Sequence, residues 1–137
     1  MTDITAIILT KNEDVNIERC IKSLNGVADR ICVVDSGSTD RTIEIAESLG
    51  AEVFYHEPFN HYAAQFNWAL DNVDIKTTWV YRIDADEEVT PKLAVEIVAA
   101  CKEHRDDDVN GFVMKFLIAF MGTFLKHGGM YPFYNLT

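Results

Sequence analysis

Apolar runs alternate with amphipathic segments along most of this chain. Four short runs are rich in β-branched and aromatic residues, as buried strands are, and they cover residues 4–9, 31–34, 52–55 and 78–83. Between and after them, apolar residues recur every three or four positions, which predicts four helices around Ile17, Ile43, Phe66 and Leu93. The alternation predicts an α/β fold with a mostly parallel sheet and helices on both faces.

The pattern changes after Gly111. Residues 112–120 predict one strand, Gly122 ends it, and Phe124 begins another short element. The apolar stretch contains Lys115 and is shorter than the ~20 residues that span a bilayer. The chain contains no repeat, low-complexity tract or linker, so we predict a single domain over residues 1–137.

The fourth predicted strand ends in a cluster of carboxylates, which are Asp84, Asp86, Glu87 and Glu88. Side chains two positions apart on an extended chain point to the same side, so the negative charges of Asp84 and Asp86 would lie close together. Two carboxylates about 4 Å apart repel by roughly 4 kcal/mol at an effective dielectric of 20, and a hard cation such as Mg²⁺ relieves that repulsion. The alternative is a solvated acidic turn. An EF-hand is excluded, because Val89 and Val95 stand where its loop needs Gly and Glu.

Two other polar loops follow the first and second predicted strands, at residues 10–13 and 35–40. In open α/β sheets, ligands bind beyond the carboxyl ends of the strands, where all three loops would meet. The first two loops have a structural alternative, because residues in them or just after them are good helix caps, namely Asn12, Asp14, Ser38, Thr39 and Asp40. Three polar strand ends at one edge together predict a ligand site.

Charge and composition narrow the function. The 137 residues carry 22 acids against 12 bases, a net charge of −10, which argues against nucleic-acid binding. An anionic phosphate ligand would therefore need a cation or helix N-termini. The three scattered cysteines and four histidines show neither a disulfide framework nor metal spacing. Because the N-terminus lacks a basic region followed by an apolar one, we expect no signal peptide and a cytoplasmic, reducing location.

Four ordered motifs together resemble one enzyme family. They are ILTKNE at residues 8–13, VVDSGSTDRT at 33–42, AQFNWAL at 64–70 and IDADE at 83–87. The chain is similar to the nucleotide-binding half of family 2 glycosyltransferases with the GT-A fold, a Rossmann-like sheet. Within that family it resembles the bacterial enzymes that add glucose to the inner core of lipopolysaccharide, and residues 122–132 fit that subgroup as well.

The resemblance implies an inverting transfer from a UDP-sugar that depends on Mg²⁺ or Mn²⁺. It implies nucleotide contacts by a set of polar residues, with Asp35 at the uracil ring and Asp84 by the ribose: Thr10, Asn12, Glu13, Asp35, Gln65, Asn67 and Asp84. Asp86 would hold the metal that bridges the diphosphate. The acceptor would be a glycan or glycolipid, with peripheral association at the inner face of a membrane and self-association as further expectations.

Two departures from the family pattern matter. Relatives often carry an arginine at the position of Phe66, and we expect Phe66 to lie in the core, leaving the metal and Lys11 or Arg41 to neutralise the diphosphate. Relatives also continue through acceptor-binding elements and an acidic base, so we expect the catalytic base to lie beyond Thr137 and the chain to be truncated on its acceptor side.

Two other classes of protein stay open. A phosphoacceptor receiver domain has an acidic pocket at its strand ends, but its acidic pair normally follows the first strand, where this chain has Thr10 and Lys11. A nucleotidyltransferase usually has a glycine-rich phosphate loop after that strand, and residues 10–14 contain no glycine.

Overall fold

The computed structural model describes residues 1–116, 118–120, 123–125 and 133–136. Its backbone divides into two compact units, Met1–Asp107 and Asp108–Thr137. The prediction of one domain over the whole chain stays a prediction. Among the described helices, none combines the length and the apolar character that crossing a bilayer requires.

The first unit alternates four strands with four helices, as predicted. In chain order they are β1 (Ile4–Thr10), α1 (Ile17–Ser23), β2 (Arg30–Asp35), α2 (Thr42–Ser48), β3 (Glu52–Tyr55), α3 (Tyr62–Asn72), β4 (Trp79–Asp84) and α4 (Pro91–Glu103). The four strands form one sheet in the order β3-β2-β1-β4, and every neighbouring pair is parallel. The predicted α/β class is therefore confirmed.

Both faces of the central strand β1 are covered. All seven of its residues are buried, although successive side chains point to opposite faces. On one face Ile7 and Leu9 pack with Val34 of β2 and with Ala69 of α3. The alternate residues of β1 are equally buried on the other face, as is typical of a parallel sheet enclosed between helices.

Local capping chemistry sets where the later helices begin. Thr90 caps α4 by accepting a hydrogen bond from the backbone N–H of Leu93 at 3.2 Å, with Pro91 in the first turn, as the sequence predicted. α3 begins at Tyr62, one turn before the predicted Phe66. The reason is His61, whose Nδ1 accepts from the backbone N–H of Ala64 at 3.1 Å and so caps the helix there.

The second unit is built from short antiparallel pairs. β5 (Val113–Phe116) pairs with β8 (Phe133–Leu136), and β6 (Ile118–Phe120) pairs with β7 (Thr123–Leu125). The prediction of a single strand over residues 112–120 was wrong, because its two halves take different partners. Gly122 and residues 126–132, which the sequence analysis also used, lie outside the described residues.

Candidate functional site

The three polar loops that the sequence singled out do meet at one edge of the sheet. In the parallel register Thr10 at the end of β1 pairs with Asp35 at the end of β2. On the other side of β1, Leu9 pairs with Asp84 at the end of β4. The convergence predicted from strand order is therefore present.

The loops after β1 and β2 are joined by a network of hydrogen bonds. The backbone N–H of Asn12 donates to Ser38 Oγ, that of Glu13 to Thr42 Oγ1, and Asn12 Oδ1 accepts from the backbone N–H of Thr39, each at 2.8 Å. Asn12 has a φ of 53°, a left-handed conformation that asparagine tolerates better than most residues. These bonds fix the backbone of both loops relative to each other.

The alternative that these polar residues merely cap helices holds only in part. The residue before α1 is Asn16, whose side chain makes no capping bond, so Asn12 and Asp14 do not cap that helix. Asp40 instead accepts from the backbone N–H of Thr42 at 2.9 Å and from that of Asp14 at 3.2 Å. Asp40 thus bonds the first turn of α2 to the β1 loop.

Asp35 is completely buried and organises its own loop. Its carboxylate accepts from the backbone N–H groups of Gly37 and Ser38, each at 2.8 Å, and from the Ser38 hydroxyl. Gly37 has a φ of 97°, a left-handed conformation that strains any residue with a side chain, and a Cβ there would also require the Glu57 carboxylate to move. The predicted contact of Asp35 with a uracil ring stays a prediction.

The β4 exit contains one half-buried and one exposed aspartate. Asp84 Oδ1 is buried and has no hydrogen-bond partner among the described residues, whereas Asp86 is exposed. Burial raises the pKa of Asp84; the charge of Arg82 opposes that rise, and Asp86 and Glu13 add to it. Thr10 Oγ1, at the end of β1, is another buried polar atom without a described partner.

The carboxylates at the end of β4 suit a divalent cation that is bound partly by the protein and partly by a ligand. Within the described part of the chain, no three His, Cys, Asp or Glu side chains group closely enough to hold a metal by themselves. Asp84 and Asp86 offer carboxylates at one strand end, and Mg²⁺ is usually bound through one or two carboxylates together with substrate phosphates. The residues therefore fit a metal shared with a phosphate ligand.

Two other residues of the predicted nucleotide set lie on α3 but on different sides of it. Gln65 is buried, and its amide bonds His56 twice, at the backbone oxygen (3.2 Å) and at ring Nδ1 (2.7 Å). His56 in turn stacks on Trp68 with ring centroids 4.4 Å apart. Asn67 is exposed. Gln65 thus joins the β3 exit to α3, and its predicted nucleotide contact, like that of Asn67, stays a prediction.

The sequence analysis missed Arg82, which stands inside the apolar run of β4. Its Nη2 lies 3.7 Å from Asp84 Oδ1, and its guanidinium carbon lies 5.9 Å from the centre of the Phe66 ring. Phe66 is partly buried against the core, as predicted. The sequence did contain an indication of the role of Arg82, because a charged residue interrupts an apolar strand two positions before Asp84.

Comparison with known proteins identifies the family. The sequence model described as "Glycosyl transferase family 2" matches residues 5–134. The chain belongs to glycosyl transferase family 2. Over 115 residues it is 43% identical to an uncharacterized glycosyltransferase of Rickettsia bellii (strain RML369-C), covering 84% of this chain and 38% of that protein. It is 36% identical over 107 residues to the lipopolysaccharide core biosynthesis glycosyltransferase LpsC of Rhizobium meliloti (strain 1021), covering 73% and 38%.

Solved structures agree on the fold. S. aureus TarS 1-349 superposes with a TM-score of 0.62 at 24% identity, covering 80% of this chain and 34% of that one. A complex of Mycobacterium tuberculosis glucosyl-3-phosphoglycerate synthase with Mn²⁺, UDP and glucosyl-3-phosphoglycerate gives 0.51 at 26% identity, covering 62% and 35%. These are GT-A glycosyltransferases, and the predicted GT-A fold is confirmed. The chain spans about two fifths of the length of these curated relatives.

Proposed function

We propose that this chain is the donor-binding part of a glycosyltransferase that moves a sugar from a UDP-sugar to a saccharide acceptor. The chain belongs to family 2, and one observation carries the proposal. The loops after β1 and β2, which are joined by hydrogen bonds, lie at the same edge of the sheet as the Asp84 and Asp86 carboxylates. Ligands of open α/β sheets bind at this edge.

The two sides of the edge suit the two ends of a nucleoside diphosphate. The loops after β1 and β2 are held together by hydrogen bonds from backbone N–H groups to the Ser38 and Thr42 hydroxyls. They would offer a pre-formed surface for the base and ribose near Thr10, Asn12 and Glu13. The aspartates after β4 would face the diphosphate. A surface that is already ordered loses less conformational entropy when a ligand binds. This supports a nucleotide-binding role for the loop residues inferred from the sequence.

A divalent cation, Mg²⁺ or Mn²⁺, would be held by Asp86 together with the diphosphate, near Asp84. When bound, it supplies Lewis-acid stabilisation of the negative charge on the leaving diphosphate. The M. tuberculosis relative was crystallised with Mn²⁺ and UDP, which supports this part of the proposal. The chain itself contributes the Asp84 and Asp86 carboxylates, which attract the cation and would repel a diphosphate that arrived without one.

The acceptor we propose is a glycan of the cell surface, assembled on the cytoplasmic side of a membrane. The similarity to LpsC, named for lipopolysaccharide core biosynthesis, supports that substrate class. An inverting displacement at the anomeric carbon follows from the family resemblance, with a general base that deprotonates the acceptor hydroxyl. We place that base outside this chain.

Calorimetry with UDP tests the proposal. Binding should be measurable in Mn²⁺ and should weaken strongly in EDTA. Asp86→Asn should reproduce the EDTA result in the presence of Mn²⁺. Glu88→Gln is the matched control, because Glu88 lies two residues away and pairs with Arg19 at 3.3 Å; its affinity for UDP should equal the parent's.

Two outcomes would contradict this assignment. Equal affinity for UDP with and without metal would remove Asp86 as a ligand. Absence of UDP binding in Mn²⁺ would show that the donor of this glycosyltransferase does not carry UDP.

A further inference from the structure

Arg82 is a half-buried arginine at the candidate site whose side chain donates no hydrogen bond to any described residue. Its side chain is 32% exposed, and its Nε is buried without a partner among the described residues. The Nη2 atom lies 3.7 Å from Asp84 Oδ1, which is beyond the 2.7–3.2 Å range of a hydrogen bond. Buried donors are normally paired, so this guanidinium needs an explanation.

The facing carboxylate is equally unsatisfied. Asp84 Oδ1 is buried and also lacks a hydrogen-bond partner among the described residues. Arginine and carboxylate commonly form two parallel N–H···O bonds, because the guanidinium is a planar fork. Here the two groups attract by charge alone. The fork of Arg82 is thus available to a different anion.

The position of Arg82 directs it to the ligand edge. Arg82 and Asp84 are two apart on β4, so both side chains lie on the face of the sheet that α3 covers. Since Asp84 is nearer the carboxyl end of the strand, the contact with it places the guanidinium towards that end. The Phe66 ring, 5.9 Å from the guanidinium carbon, supports the cation from α3.

The surrounding charges make a cation necessary for an anionic ligand. Asp84, Asp86 and Glu13 all act on this corner of the sheet. At the β2 loop, Arg41 already pairs with Glu44 at 3.1 Å, and in the part of the chain described here Arg82 is the arginine at this edge that donates no hydrogen bond. A diphosphate entering the edge would therefore meet Arg82 as an unengaged donor.

We propose that Arg82 binds a phosphoryl oxygen of the nucleoside diphosphate, with Phe66 holding its guanidinium in place. The inference rests on the proposed function and adds to it a direct phosphate contact that does not pass through a metal. Phosphate oxygens match the planar donor fork of arginine in two-point contacts. The alternative is that Arg82 only neutralises Asp84.

The ratio of UDP affinity to uridine affinity separates these roles, because uridine lacks the phosphates. Calorimetry in Mn²⁺ would compare the parent with Arg82→Gln, Arg82→Lys and Arg105→Gln. Arg105 is a matched control: it carries the same charge and pairs with Asp3, just before the amino end of β1. We expect Arg82→Gln to weaken UDP about 10- to 100-fold, the range for a charged hydrogen bond, and to leave uridine unchanged.

The direction of the change also excludes an effect through the metal. Removing a positive charge beside Asp84 raises the attraction of that corner for a cation, so a metal-mediated effect would strengthen UDP binding rather than weaken it. Arg82→Lys keeps the charge beside Asp84 but not the fork, so it should retain part of the UDP affinity. Arg105→Gln should match the parent for both ligands.

Each remaining result overturns the inference. Unchanged UDP affinity in Arg82→Gln, while the parent binds UDP, would show that Arg82 does not touch the diphosphate. An equal loss for UDP and uridine in both Arg82 variants would show that Arg82 acts only through the fold. A parent that binds no UDP would overturn the proposed function and this inference together.

Discussion

Glu87 Oε2 accepts a hydrogen bond from the backbone N–H of Asp84 at 2.9 Å. The backbone N–H of Glu87 donates in return to the backbone carbonyl oxygen of Asp84, also at 2.9 Å. Burial raises the pKa of Glu87, opposed by its hydrogen bond with Asp84 and reinforced by the charges of Asp84 and Asp86. With these two hydrogen bonds Glu87 closes the turn at the end of β4, the turn that contains Asp84 and Asp86.

Glu87→Ala should destabilise the chain by about 1–3 kcal/mol, because it leaves the partly buried Asp84 N–H without its acceptor. Urea unfolding followed by circular dichroism measures the change. Glu88→Ala is the control, since its exposed ion pair with Arg19 is worth about 0–1 kcal/mol. Equal stability of the two variants would show that the Glu87 bond does not hold the turn.

Asp35→Ala should weaken UDP binding by about 1–3 kcal/mol, whether the carboxylate meets the base or only orders its loop. The loss of three acceptor contacts should also lower the unfolding midpoint. Calorimetry and thermal unfolding would be run on the same samples. Asp71→Ala, an exposed change on α3, is the control. UDP binding as tight as the parent's would place the base pocket elsewhere.

The cysteines should be unreactive in the folded chain. Cys20 and Cys32 are completely buried, and burial is the main cause that raises their pKa values, to about 12 and about 11. Cys101 is 6% exposed, and burial raises its pKa too. Because the thiolate is the reactive form, Ellman's reagent at pH 8 should label none of them quickly, and all three in denaturant. Rapid native labelling of one thiol would contradict the packing described.

Acid should weaken the junction between the N-terminus and the loop before β2. Hydrogen bonds from the backbone N–H groups of Thr2 and Asp3, partly offset by burial, lower the pKa of Asp29 below its ordinary value. A depressed carboxyl pKa contributes stability above the unfolded value, about 3.9, and that stability is lost as pH falls through the folded pKa.

The Asp29 contribution can be measured from unfolding midpoints between about pH 6 and pH 2. Asp29→Asn should lower the midpoint near pH 6 and flatten its fall in acid, since the variant cannot lose a charge. Asp71→Asn, at a carboxylate with no hydrogen bond among the described contacts, should follow the parent curve. Parallel curves for Asp29→Asn and the parent would contradict the linkage.

The sequence by itself determined the α/β architecture and the edge where the site lies. Apolar β-branched runs such as that of β1, alternating with amphipathic helical segments, are typical of a parallel sheet buried between helices, in which the carboxyl ends of the strands meet at one edge. The motifs around Asp35 and Asp84 fall directly at strand ends, and the family was indicated by the resemblance of these ordered motifs to those of family 2 glycosyltransferases. Thr90 and Pro91 marked the start of α4 through purely local capping chemistry.

Only the tertiary structure decided which polar atoms are already paired and which are free. Gln65 bonds His56 from the β3 exit, a contact across nine residues that no local pattern predicts. The halves of residues 112–120 take different antiparallel partners, because pairing depends on segments distant in sequence. Arg82 lies inside an apolar run, and only the packed structure shows that its side chain donates no hydrogen bond to Asp84 or to any other described residue. Hydrogen-bond satisfaction is a property of the folded chain, and residue order alone does not specify it.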